Sequence, residues 1–99
     1  MSLFRTGPLV QTRGIGTACE EDPDFAAFVQ ECVRRYLKGD WGDTCEDDAE
    51  LNDESVKAEK EKRMTDDIMS TYGYRDGRKV WIKTEWDRSV TTVLFPEEY

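Results

Sequence analysis

Asp67-Ile68-Met69-Ser70-Thr71-Tyr72-Gly73-Tyr74, then Lys79-Val80-Trp81-Ile82-Lys83-Thr84-Glu85-Trp86, then Ser89-Val90-Thr91-Thr92-Val93-Leu94-Phe95 together form the stretch that decides the fold. Each run is rich in β-branched and aromatic residues and alternates apolar with polar positions, as a strand with one covered face does. Asp76-Gly77 supplies a hairpin turn and Asp87-Arg88 a second turn, so the last third of the chain reads as a β-meander. In its middle strand Val80, Ile82, Thr84 and Trp86 point one way and Lys79, Trp81, Lys83 and Glu85 the other. One face meets a helix and the other is partly wet.

That helix lies upstream. Asp22 is placed to cap it, Pro23 suits its first position, and Phe25, Phe28, Val29, Cys32, Val33, Tyr36 and Leu37 recur at helical spacing. Gly39 can close it in the left-handed conformation, which gives a helix over about Pro23 to Lys38 with Gln30, Glu31, Arg34 and Arg35 facing water. Farther upstream Leu9 to Gly16, bounded by Pro8, reads as a short strand at a sheet edge. Between helix and meander, a second helix is expected over about Ser55 to Arg63, with or without a short helical turn before it. Thr44 and Asp47 resemble a capping arrangement, and Asn52 and Asp53 can recap instead. The fold class is therefore α+β: a three- to four-stranded antiparallel sheet, built from the meander and the N-terminal strand, packed on one main helix and a second, acidic helical segment.

Ninety-nine residues make one domain, 1–99, with room for one core. A formal charge of −8 opposes direct binding to nucleic acid or to an anionic membrane, and no apolar run approaches the roughly 20 residues that span a bilayer. Met1 to Pro8 lacks the long apolar core of a signal peptide, so the reading is a cytoplasmic protein. Cys19, Cys32 and Cys45 are odd in number and form no C-x-x-C pair, which signals neither a disulfide framework nor a zinc site. The chain has no histidine, and with it go the commonest general base and the commonest transition-metal ligand. No catalytic residue, metal site or cofactor is expected.

The most unusual feature is the segment from Asp40 to Glu54: Asp40, Asp43, Glu46, Asp47, Asp48, Glu50, Asp53 and Glu54 are eight acids in fifteen positions without one Lys or Arg. No EF-hand loop can be written through it. Two readings stand. It is a solvated face, or it is a stripe of carboxylates about 5 to 6 Å apart that engages a basic cleft of a protein partner. Trp41, flanked by Gly39 and Gly42, likewise either anchors that partner or plugs the end of the core. Trp81, on the outer side of the sheet, faces the same choice. The acids of this segment together with Trp41 form the candidate partner-binding set.

Gly39-Asp40-Trp41-Gly42-Asp43, Glu50-Leu51-Asn52-Asp53, Val80-Trp81-Ile82 and the closing string Asp87 to Tyr99 resemble the small plasmid-related proteins of bacterial conjugative elements, plasmids and phages. The resemblance runs from Thr12 onward, with extra charge at Glu59 to Arg63 as a departure. It implies a mobile-element setting and no catalytic residue. Joined to the acidic segment, it leads to the expectation of a non-enzymatic inhibitor of a host defence system, anti-CRISPR-like or antirestriction-like, that occupies a basic nucleic-acid-binding groove. The alternative is an accessory or antitoxin-like regulatory protein without nucleic-acid mimicry.

Overall fold

The computed structural model describes residues 2–99, in which β1 (Leu9–Gln11), α1 (Arg13–Glu21), α2 (Pro23–Leu37), α3 (Glu46–Lys60), β2 (Ile68–Gly73), β3 (Lys79–Thr84) and β4 (Thr91–Leu94) follow in chain order. A single 3₁₀ turn, Pro96–Glu98, closes the chain. The fold is α+β, with one four-stranded sheet in the order β1-β4-β3-β2. The meander is antiparallel as expected, with Ser70 opposite Ile82 and Ile82 opposite Val93. The sheet as a whole is not antiparallel, because β1 pairs parallel to β4, Leu9 opposite Thr91 and Gln11 opposite Val93. Parallel neighbours need a long crossover, and α1, α2, α3, β2 and β3 lie between these two strands.

The expected strand over Leu9 to Gly16 stops at Gln11, and α1 takes its second half. The Thr12 hydroxyl accepts from the Ile15 amide, and the Glu98 carboxylate accepts from the Thr12 hydroxyl at 2.6 Å and the Gly14 amide at 3.1 Å. Those contacts satisfy amide groups that a new helix leaves free, while Ile15 is fully buried and Ala18 and Cys19 pack on the core. Gly14 has a steric reason as well: a Cβ there would come within 2.4 Å of a Glu98 oxygen.

In α2 the Asp22 carboxylate accepts from the amides of Asp24 and Phe25, Pro23 opens the helix, and Gly39 ends it at φ +82°. Phe25, Val29, Cys32 and Tyr36 form its buried face; Phe28 lies only half-buried at the margin. Below them Val80, Ile82, Ile68, Tyr72 and Val93 complete the core. Trp86, expected on the same face as Val80, lies past the end of β3 and is exposed.

A line of hydroxyls crosses the core. Tyr36 meets Thr84 at 2.7 Å, Thr84 meets Thr91 at 2.7 Å, Thr91 meets the Thr6 carbonyl at 2.7 Å, and Tyr36 also lies 3.2 Å from the Ile68 carbonyl. The two carbonyls can only accept, so Thr91 donates to Thr6 and Tyr36 to Ile68, while within the Tyr36–Thr84 and Thr84–Thr91 pairs either hydroxyl can be the donor. Burial also pushes the Tyr36 phenol well above its usual range, against the smaller lowering effect of Thr84.

Candidate interaction surface

The acidic segment folds as one continuous helix. α3 runs fifteen residues from Glu46 to Lys60, where a helix over Ser55 to Arg63 was expected. Asn52 and Asp53 do not recap it. Cys45 occupies the N-cap without a side-chain bond, and Glu46, Asp47 and Asp48 fill the first turn, where carboxylates oppose the exposed amide dipoles favourably. Thr44, read as a cap, instead hydrogen-bonds the Trp41 carbonyl and the Thr71 amide.

The buried side of α3 is unusually polar, consisting of Asn52, Ser55, Val56 and Ala58. Its function is legible in β2. Ile68, Ser70 and Tyr72 face inward opposite Thr84, Ile82 and Val80, while the backbone groups of Met69, Thr71 and Gly73 turn to the free edge. The Asn52 amide donates to the Met69 carbonyl at 2.9 Å and accepts from the Met69 amide at 3.2 Å. Thr44 accepts from the Thr71 amide, the Asp43 amide donates to the Thr71 carbonyl, and the Asp43 carboxylate accepts from the Gly73 amide at 2.7 Å. Ser55 continues the seam by pairing with both the amide and the carbonyl of Asp66. This edge is closed by side chains and by one backbone bridge at Gly42 and Thr71 rather than by another strand.

The nine candidate residues consequently divide. Asp40 forms a two-point ion pair with Arg35 and caps the Gly42 amide; the Arg35 bond, first, and the Gly42 amide, second, hold its carboxyl below the ordinary range. Asp43 is committed to Gly73. Trp41 is buried at 6% exposure against Phe4 and Tyr36, and its indole N–H donates to Asp53 at 2.8 Å. The packing supports the core reading of Trp41 and withdraws it from the outer surface, while Asp53 stays exposed with one carboxylate oxygen committed to the indole. Glu46, Asp47, Asp48, Glu50 and Glu54 remain exposed on α3, and no hydrogen bond or ion pair joins them to a described side chain. Leu51 stands among them at 64% exposure, and a shallow hollow beside it is lined by Met64, Asp66, Asp67 and Trp86. The charge changes sign farther along, at Lys57 and Lys60.

Sequence reasoning missed Arg88, assigned only to a turn. It is buried, with φ +61°, and its guanidinium donates to Glu59 at 2.7 Å, to Ser55 at 3.0 Å and to the Asp66 carbonyl at 2.9 Å. It ties the end of α3 to the β3–β4 turn. Its only sequence signal was a basic residue in a tight turn, which does not announce burial. Asn52 offered more: its spacing to Ser55 and Val56 places all three on one helical side. Trp81, on the outer face, packs edge-on against Tyr99 at 5.8 Å between ring centres and remains half-buried.

Cys19 and Cys32 are not poised for nucleophilic work. Burial pushes Cys32 up to about 12 and raises Cys19 as well. No helix of the described residues is long and apolar enough to cross a membrane. The chain matches no protein-family model, no curated protein and no solved structure.

Proposed function

We propose that this chain is a non-catalytic interaction protein that presents the first two-thirds of α3 to the basic groove of a nucleic-acid-binding protein, as an inhibitor of a host defence system would. The observation that carries this reading is the division of labour among the acids. Asp40, Asp43 and Asp53 are used within the fold, whereas Glu46, Asp47, Asp48, Glu50 and Glu54 project from one helix without an ion pair to any described side chain, the first cation of that helix, Lys57, following Glu54 by three positions. From Glu46 to Glu54 the helix rises about 12 Å, over which duplex DNA carries about seven phosphates. Five carboxylates in that length approach the same charge density. Leu51, and Trp86 beside it, take the anchoring role first considered for Trp41, because both are exposed. The mobile-element setting rests on the resembling strings alone.

The test avoids lysine in the first turn, where a cation would also oppose the helix dipole and confuse binding with folding. Capture from a bacterial lysate is compared for wild type and for Glu50→Lys/Glu54→Lys. The expected result is a nucleic-acid-binding protein retained by wild type, released as salt rises from about 50 to about 500 mM, and lost by the variant while its melting is nearly unchanged. Excess wild-type chain should displace nucleic acid from the captured protein. Equal retention by the variant would leave α3 a solvated face.

A further inference from the structure

The two edges of the sheet are treated oppositely. Every outward amide of β2 meets a side chain from Asn52, Thr44 or Asp43. At the other edge, the Thr91 amide donates to the Pro8 carbonyl and the Thr12 amide to the Val93 carbonyl. By the alternation of a parallel ladder, Val10 turns both its backbone groups to β4. Leu9 and Gln11 therefore turn theirs to the open edge, and no hydrogen bond from another described segment reaches them. Beside that edge lies a hollow of about 300 Å³ lined by Leu9, Val10, Gln11, Val29, Gln30 and Val33, with Val93 at its base.

None of those residues is charged, in a chain that is 36% charged. A strongly charged partner finds nothing to match there; another copy of the same uncharged strip does. We infer that a second copy of this chain docks on this edge, β1 against β1 in antiparallel register about a two-fold axis at Val10.

The register is self-complementary. With Val10 opposite Val10 of the copy, Leu9 stands opposite Gln11 and Gln11 opposite Leu9, so the free groups on each side exchange two hydrogen bonds and four form in all. Val10 lies on the outer face with Thr92, where the two valines form a closely spaced, non-hydrogen-bonded pair. Leu9 and Gln11 lie on the inner face with Thr91 and Val93, so the leucine of the copy sits over the hollow beside Val29 and Val33.

Shortness is one way an edge is protected from pairing, and β1 has only three residues. The strand bonds alone would not hold two chains. The hollow supplies the rest, by apolar burial along α2. Nor does the formal charge of −8 on each chain forbid the contact. α3 covers the far edge, so eight strands at about 4.8 Å spacing would place the two β2 strands about 34 Å apart, beyond the Debye length of about 10 Å.

Sedimentation velocity at about 100 µM chain tests the inference, an estimate matched to weak dimers of small interfaces. Wild type should sediment at twice 11.5 kDa. Val10→Lys and Val10→Glu should each be monomeric, since like charges then face one another across the axis. An equal mixture of the two should regain the dimer, a rescue that no loss of folding imitates. Amide exchange supplies a reading on the unaltered chain: Leu9 and Gln11 should gain protection with concentration while Val10 is protected throughout. A wild-type monomer at this concentration, a dimer that survives both single variants, or a dimer with Leu9 and Gln11 still unprotected would each overturn it.

Discussion

Asn52 is a polar residue at 4% exposure in the middle of a helix, where it is a poor helix former, and it stays because Met69 gives its amide both a donor and an acceptor. Leucine at this position would suit the helix and strand the two Met69 groups. Asn52→Leu should therefore destabilise by about 1 to 3 kcal/mol, seen as a lower urea midpoint at unchanged slope. A neutral result would mean that water replaces the side chain at this edge. Phe25 and Phe28 differ in the same instructive way. The sequence places both on one stripe, but Phe25 is at 0% exposure and touches Phe95 and Tyr74, whereas Phe28 sits at the rim against Tyr74. Phe25→Ala should cost about 3 to 5 kcal/mol and Phe28→Ala distinctly less. Equal losses in a denaturant titration would contradict the packing.

At the scale of elements, α3 shows how one helix combines two kinds of polarity. Its inner side holds Asn52 against the edge of β2 and Ser55 against Asp66 just before that strand, and its outer side carries the acids that form no ion pair. The helix is acidic at its first turn and basic at its last, which suits the dipole at both ends and explains why so polar a segment is helical throughout. The salt-dependent capture lost in Glu50→Lys/Glu54→Lys belongs to this scale, because those residues lie past the first turn and make no hydrogen bond or ion pair with a described side chain. β1 is the contrasting element: it is short, uncharged and open along one side.

At the scale of the molecule, the Glu98 carboxylate joins the two ends of the chain. It accepts from Thr12, Phe95 and Gly14, and those bonds, the Thr12 hydroxyl first, hold its pKa below the ordinary value. Asp40 is held down similarly by Arg35. A depressed carboxyl contributes stability that is present above its unfolded pKa and is lost as pH falls through its folded pKa. Melting should thus fall as pH drops through the ordinary carboxylate range and below it. Glu98→Gln should melt lower than wild type at neutral pH and lose less on acidification, the contribution being modest because the group is exposed. If the two curves ran parallel, the clamp would contribute nothing.

The chain's local patterns determined the α+β class, the caps and stripe of α2, and the meander. Asp22, Pro23 and Gly39 act on their own neighbours, and period-two alternation needs no distant partner. α1 and the full length of α3 were not legible in this way, because the contacts that hold them are far away in sequence. Glu98 secures Gly14 across 84 positions, and Met69 secures Asn52 across 17. The parallel pairing of β1 depends equally on where β4 arrives. The candidate surface divided for the same reason: composition put eight acids in one segment, but only the fold could commit Asp40, Asp43 and Asp53 to Arg35, Gly73 and Trp41. A carboxylate is free or occupied according to which donor lies within hydrogen-bond reach, and that is decided by packing in three dimensions.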